Sequence, residues 1–182
     1  WVINKNDASG AAIDFAFTGL LPDTLANLAD RFDNVEAASG WNNNDVIRGD
    51  SLTSVQLLNT AVAGNLDTNH AINTAAQIAR IDGFQAFLDG MLGAGQTGFA
   101  AGNILMGGAG SDIIEGRGGN DLIDGDTWLN VRIGVSGHPT ITTAEGMAEI
   151  APLLLSGEIS PSQLSIVREI LKLALDRDIR AT

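Results

Sequence analysis

The chain has 182 residues, of which 22 are acidic and 10 are basic, and its net charge is -12. A nucleic-acid surface needs clustered Lys and Arg, so this balance argues against a nucleic-acid partner and favours cations. The absence of cysteine excludes disulfides and thiolate metal sites, and only two histidines remain as imidazole ligands. A bound metal ion would therefore be held by oxygen, which suits calcium.

The chain contains no apolar run near the ~20 residues that a transmembrane helix needs, so we expect no membrane span. It begins at Trp1 and shows no signal-peptide pattern. We therefore expect a segment of a longer protein, with the targeting signal elsewhere and the remainder of the parent chain as its partner.

Before the repeats, the pattern predicts a strand-rich lead-in over residues 1–50 and a helical insertion over residues 51–97. Apolar residues alternate with small or polar ones at Ile13, Phe15 and Phe17, and they recur at helical spacing at Ile81, Phe84, Leu88 and Met91. Asp23 is placed to cap a short helix, and Asp82 with Gln85 to form a capping box.

Residues 98–133 divide without a gap into four rows of nine: GFAAGNILM, GGAGSDIIE, GRGGNDLID and GDTWLNVRI. The two middle rows match the pattern G-G-x-G-x-D-x-U-x, in which U is apolar, except that Arg117 replaces one glycine. The first and last rows carry Asn103 and Asn130 in place of the aspartate. Residues 44–50 (NDVIRGD) resemble residues 120–126 (NDLIDGD), and we interpret them as a stray repeat with no obvious loop to stack on.

This repeat predicts a calcium-binding parallel β-roll over residues 98–133. Glycines permit positive φ and let carbonyls turn inward around a cation, the aspartate adds a charged ligand, and the next residues form a short strand. Two rows make one coil, so loops 18 residues apart should stack. We expect residues 98–103 to stack on 116–121, and residues 107–112 on 125–130.

One to three calcium ions are expected, each with 6 to 8 oxygen ligands at ~2.3–2.6 Å. The principal carboxylates are Asp112 and Asp121, and plain connecting turns are the alternative reading of the same residues. The loop glycines that allow carbonyl coordination are Gly107, Gly108, Gly110, Gly116, Gly118 and Gly119, and the weaker candidate ligands are Asp126, Asn103, Asn130 and Asp45.

After the repeats, residues 134–182 form a predicted helical C-terminal segment. Ser160, Pro161 and Gln163 make a strong helix start, and Leu164, Val167 and Leu171 then lie on one face, which predicts a helix from about 161 to 176. The expected fold class is α+β: a short parallel β-roll with a helical insertion and a C-terminal helix packed on it.

Residues 98–133 resemble the RTX repeats of calcium-binding proteins that bacterial type I secretion systems export. Residues 32–50 are similar to the lead-in that often precedes such repeats. The order of lead-in, insertion, repeats, residues 128–133 and residues 161–170 is similar to the repeat-bearing region of large bacterial proteins with an animal-type haem peroxidase domain. The resemblance implies a secreted, extracellular protein whose repeats fold when calcium neutralises their carboxylates outside the cell.

An enzymatic role for this segment is not expected. Haem peroxidation needs histidines around an apolar cavity, whereas His70 and His138 lie in polar turn sequences, so haem is not expected here. The chain also lacks a G-x-S-x-G elbow. Two alternatives remain: a portion of a haem peroxidase that contributes to its function, and an adhesion module whose helical segments 51–96 and 141–176 bind an unknown protein partner.

Overall fold

The computed structural model describes residues 1–5, 8–17, 32, 35–53 and 74–173. The predicted helix after Asp23 lies outside the described residues. Within them the helices and strands are mixed, which confirms the α+β class. The strands are β1 (Val2–Ile3), β2 (Ala12–Asp14), β3 (Ala37–Ser39), β4 (Val46–Arg48), β5 (Ile104–Met106), β6 (Ile113–Glu115), β7 (Leu122–Asp124), β8 (Thr127–Val135), β9 (Thr143–Ala144) and β10 (Leu164–Lys172); the helices are α1 (Ala75–Ile78), α2 (Phe84–Leu92) and α3 (Met147–Ser156).

Seven short strands form two parallel sheets, ordered β1-β3-β5-β7 and β2-β4-β6. Consecutive strands belong to different sheets, so the chain winds in coils that contribute one strand to each sheet. Ile104 pairs with Leu122 in one sheet, and Val46 pairs with Ile113 in the other. The segment predicted to be a stray repeat therefore supplies β4, in register with the main repeats.

The apolar eighth position of the first two repeat rows fills the space between the two sheets. Leu105 is fully buried there with Ile47 and Ala38, and Ile114 packs against the same cluster. Ile123 holds the equivalent position in the last coil and is 40% exposed, because β7 is the edge of its sheet. The predicted apolar position is thus the core of the coiled region.

A second core covers the outer face of the four-stranded sheet. The buried Phe84 and Leu88 of α2 belong to one cluster with Ile104 and Met106. Trp1 meets the Phe84 ring edge-on, with 5.6 Å between centroids. Helix α2 thus lies within the predicted insertion and packs on the sheet formed by the repeats.

The capping box predicted at Asp82 and Gln85 is wrong. Helix α2 begins after Gly83, whose φ is 75°, and has no side-chain cap. The capping box within this segment belongs to α1, where Thr74 and Gln77 bond to each other's backbone.

The C-terminal helix predicted over residues 161–176 is also wrong for the described part of that range, which ends at residue 173. The capping box of Ser160 and Gln163 is present, but it closes only a 3₁₀ turn, Pro161–Gln163. The chain then continues as β10, which pairs antiparallel with β8 along nine residues. This pairing gives both strands a continuous ladder of backbone hydrogen bonds, and together with the β-branched residues of β10 it outweighs the local helical signal.

The fourth repeat row does not form a repeat. Residues 127–135 are the long strand β8, which lies between β10 and β9 in an antiparallel sheet. This row has Asp126 and Trp128 at the positions where the row of residues 107–115 has Gly108 and Gly110, so it lacks the backbone freedom of that tight loop. The predicted stack of residues 107–112 on 125–130 is therefore replaced by another one, described below.

Helix α3 packs against the antiparallel sheet through a small separate cluster. Ile150 of α3 is buried with Ile159, Val135 and Ala144. None of the helices in the described residues has the length and apolar character that crossing a membrane requires.

Phe84→Ala should destabilise the protein by about 3–5 kcal/mol, because it empties a fully buried site between α2 and the parallel sheet. Phe17→Ala, at a side chain that is 43% exposed, is the matched control and should cost less than about 1 kcal/mol. Denaturant unfolding in one buffer measures both. Equal losses would contradict the packing of α2 on the sheet.

Candidate metal centre

Four loops between the parallel strands close in the same way, by bringing the sixth-position side chain against the first-position glycine. A Cβ atom on that glycine would lie within 3.0 Å of a side-chain oxygen of the sixth residue, a distance that real Cβ atoms do not show. The first position therefore requires glycine. The glycine and sixth residue of each loop are Gly40 and Asp45, Gly49 and Asn103, Gly107 and Asp112, and Gly116 and Asp121.

One of these loops is interrupted by the helical insertion. Gly49 and Asn103 are 54 positions apart in the sequence, yet the backbone N–H of Asp50 donates to Asn103 Oδ1 at 2.9 Å. We call residues 49–53 and 98–103 together the split loop. The helical insertion thus interrupts a single loop of the coiled region, and the two ends of that loop still contact each other.

The loops stack in two pairs, on opposite sides of the sheets. We define the Gly107 side as residues 40–45 with residues 107–112, and the Gly116 side as the split loop with residues 116–121. The predicted stack of residues 98–103 on 116–121 is confirmed by β5 pairing with β7. Residues 107–112 stack on residues 40–45 instead of 125–130, since β3 pairs with β5 and β4 with β6.

Two aspartates meet on the Gly107 side. Asp45 is only 2% exposed, and its carboxylate accepts the N–H groups of Ala11 at 2.6 Å and Trp41 at 3.1 Å. The N–H of Asp45 in turn donates to Asp112 Oδ1 at 2.8 Å. The two sixth-position carboxylates therefore lie in adjacent coils and are joined through one backbone amide.

Backbone carbonyls of the Gly107 side approach the glycines of the neighbouring loop. A Cβ on Gly108 would collide with the carbonyl oxygen of Trp41, and a Cβ on Gly110 with that of Asn43. The φ angles of both glycines are positive, at 98° and 139°. Glycine thus allows the carbonyls of one loop to lie against the other, beside two carboxylates, and such an oxygen donor set fits calcium.

The Gly116 side has the same arrangement with one charge fewer. The N–H of Asn103 donates to Asp121 Oδ1 at 2.8 Å, but Asn103 offers an amide where Asp45 offers a carboxylate. Its Nδ2 is buried and makes no hydrogen bond, and the residue is 1% exposed. Gly118 and Gly119 face the split loop. A Cβ on Gly119 would lie 2.9 Å from the carbonyl oxygen of Leu52 in that loop.

Electrostatics at Asp121 favour a cation nearby. Burial raises the pKa of the Asp121 carboxyl; the N–H of Asn103 opposes this effect, and the carboxylate of Asp50 adds to it. A raised pKa means that the ionised form is less favourable here than in water. A divalent ion beside Asp121 and Asp50 would relieve that cost.

Arg117 replaces glycine at the second position of its loop and adopts a left-handed conformation. With a φ of 67°, it is the one non-glycine residue with positive φ among those described, a geometry that costs about 1–2 kcal/mol. Its guanidinium binds both carboxylate oxygens of Asp14, at 2.5 and 2.7 Å. The hydrogen bond from Arg117 is the main reason why the pKa of Asp14 is lowered, although burial acts in the opposite direction.

Two predicted ligands lie outside the stacked loops. Asp126 follows the last parallel strand, and its N–H donates to Asp124 Oδ1 at 3.0 Å. Asn130 belongs to β8, where its side chain accepts from Lys5 Nζ at 2.8 Å and donates to Glu169 at 3.0 Å. The structure does not bring either residue to a stacked loop.

The sequence pattern missed Gly40 and Gly49 as loop glycines, which the structure brings against Asp45 and Asn103. Asp50 lies in the predicted stray repeat and joins the split loop. The signal for Gly40 was available, because Gly40 precedes Asp45 by five positions, as Gly107 precedes Asp112. No local signal identifies Gly49 and Asn103 as ends of one loop, since the insertion separates them.

In the described part of the chain, neither histidines nor larger clusters of acidic side chains add to the loop sites. Within the described ranges no group of three or more His, Cys, Asp or Glu side chains is placed to hold a metal ion. The loop sites combine one or two carboxylates with carbonyls and would not form such a group. His138 contacts Glu158 at 3.0 Å in a surface loop, and His70 lies outside the described residues.

Comparisons of the chain with protein-family models, with curated proteins and with solved structures find no match. The resemblance to RTX repeats therefore stays a hypothesis. The geometry of the stacked loops is the basis on which a function can be assigned.

Gly40→Ala should destabilise the protein by about 1–3 kcal/mol, because the added methyl group collides with the Asp45 carboxylate and the Gly107 carbonyl. Gly125→Ala is the matched control in the same repeat region, since a Cβ there meets no atom within 4 Å. It should change the free energy of unfolding by less than about 0.5 kcal/mol. If both variants unfold at the same denaturant concentration, the loop closure described above is wrong.

Proposed function

We propose that this chain is a calcium-binding segment of the RTX type, in which the two parallel sheets are a β-roll and the ion binds between stacked loops. The strongest site is on the Gly107 side. The observation that carries this proposal is the placement of Asp45 and Asp112 at the same position of adjacent loops, with the Asp45 carboxylate almost completely buried.

The charge of these two aspartates supports calcium over a purely structural turn. Placing a second carboxylate next to the buried carboxylate of Asp45 is unfavourable unless a cation or several donors compensate the two charges. An ionised carboxylate has about four lone-pair sites, and Asp112 makes no ion pair among the described residues, so lone pairs remain for a metal. Calcium would bridge the two carboxylates and draw the remaining ligands from loop carbonyls and water.

The Gly116 side is a weaker candidate site. It offers Asp121, Asp50 and the amide oxygen of Asn103, together with carbonyls from both loops. Replacement of one aspartate by asparagine lowers the ligand charge, which lowers calcium affinity. The proposal thus predicts one stronger site and at most a second, weaker one on the opposite side.

Calcium binding of this kind couples folding to the extracellular environment. At a net charge of -12 and low calcium, the carboxylates repel one another and the loops are destabilised. At about millimolar calcium the ion binds the folded loops, so that the free energy of binding adds to the free energy of folding. This fits the proposed secretion through a type I system and an extracellular location.

The same proposal assigns no catalytic role to this segment. In a parent protein with a haem peroxidase domain, the peroxidase chemistry would belong to that domain, and this segment would act as its calcium-dependent neighbour.

A second candidate function, the binding of a partner, is favoured by one groove. A cavity of about 380 Å³ opens between the end of the insertion and the Gly116 side, lined by Leu92, Phe99 and Leu122 with Gln96 and Asp121. Its mixed apolar and polar lining is typical of a site for a small ligand or side chain. Calcium-independent binding of a partner would favour this function over the first.

Calcium titration of the chelated protein by isothermal calorimetry, followed by circular dichroism, tests the proposal. The protein should bind calcium with a gain of ordered structure, and Asp112→Asn and Asp45→Asn should each weaken the stronger site by about tenfold or more. Asp82→Asn, at an exposed aspartate away from the loops, removes one carboxylate as a control and should bind as the unchanged protein does. Calcium binding that is equal in all four proteins, or absent from the unchanged protein, would refute the proposal.

A further inference from the structure

Arg117 joins three successive coils on the Gly116 side. It lies in the third coil, donates from Nη1 to the carbonyl oxygen of Gly49 in the second coil at 2.8 Å, and forms the bidentate pair with Asp14 in the first. The carboxylate of Asp50 also acts on it, since it contributes to the raised pKa of Arg117 after the larger effects of Asp14 and Glu115. A single guanidinium thus binds a loop carbonyl and an aspartate, as a bound cation would.

The two sides of the coiled region differ in how their charge is compensated. On the Gly116 side the sixth-position residues are Asn103 and Asp121, and Arg117 adds a positive charge. On the Gly107 side these residues are Asp45 and Asp112, and the second-position residues are Trp41 and Gly108, which carry no charge. Backbone N–H groups of Ala11 and Trp41 donate to the Asp45 carboxylate, and that of Asp45 donates to the Asp112 carboxylate. Lys5 Nζ lies 5.7 Å from the centre of the Trp41 ring on this side and is paired with Glu145.

We propose that Arg117 is an internal cation that holds the coils together on the Gly116 side without calcium, so that calcium dependence is concentrated on the Gly107 side. The second half of this inference rests on the proposed function, whereas the first half does not. We therefore expect the Gly116 side to be ordered in the absence of calcium. Because the split loop belongs to the ordered side, the base of the helical insertion is then held in place at low calcium.

The conformation of Arg117 makes the inference testable. Glycine at this position matches the repeat pattern and removes the cost of a positive φ, so Arg117→Gly should stabilise the protein if the guanidinium contributes nothing. The internal-cation role predicts the opposite: a calcium-free melting temperature that falls by roughly 2–4 °C. Asp14→Asn removes the other partner and should produce a similar fall, and the double variant should lose less than the sum of the two.

Hydrogen exchange measured by mass spectrometry gives the local result. In excess chelator, amides of residues 49–53, 98–103 and 116–121 should be protected in the unchanged protein, while those of residues 40–45 and 107–112 should exchange faster and gain protection on addition of calcium. In Arg117→Gly the first group should lose its protection in chelator. Arg80→Gln, which removes an exposed arginine outside the stacked loops, is the matched control and should leave both groups unchanged.

These experiments distinguish a wrong role for Arg117 from an absence of calcium binding. If calcium protects the Gly107 side but Arg117→Gly is as stable in chelator as the unchanged protein, the internal cation is refuted and calcium binding stands. If calcium changes neither side, the proposed function fails, and the division of calcium dependence between the sides fails with it. Equal gains in protection on both sides of the unchanged protein would also overturn the inference.

Discussion

The structure depends on one repeated contact, in which a sixth-position carboxylate or amide folds back onto a first-position glycine. This contact closes each loop, sets the start of the next strand and places the side chain where it accepts an N–H from the adjacent coil, as Asp112 does from Asp45. Loops of this kind stack only in register, so the parallel sheets and the buried row between them follow from it. The same contact brings carboxylates of neighbouring coils together, which is why a structural repeat becomes a candidate ion site.

The positions that depart from the repeat pattern are the ones that distinguish this chain from a regular repeat. Asn103 keeps the loop contact but removes a charge, and the insertion enters through that same loop. Arg117 occupies a glycine position at the cost of a left-handed backbone and binds Asp14 across two coils. These two departures are on the Gly116 side, and together they make that side chemically different from the side with Asp45 and Asp112.

Much of the coiled region could be predicted from the sequence, because glycine, aspartate and apolar residues at a nine-residue period each have a local physical role. The strands β5, β6 and β7, the buried eighth position and the stack of residues 98–103 on 116–121 follow from that period. The partner of Asp112 did not follow, since Asp45 lies 67 residues away and its row has Trp41 and Asn43 where the pattern has glycine. The error at residues 161–176 has another cause: the helical spacing was genuine, but nine antiparallel pairs with β8 are a tertiary interaction that no local pattern reveals.

We propose that a calcium ion binds between Asp45 and Asp112. The most direct test is an anomalous difference map from crystals of the protein grown with calcium and then soaked with a lanthanide. We predict a single strong peak within coordination distance of both carboxylates, at ~2.3–2.6 Å for calcium. A map in which the two side chains keep their backbone hydrogen bonds and no ion lies between them would contradict the account.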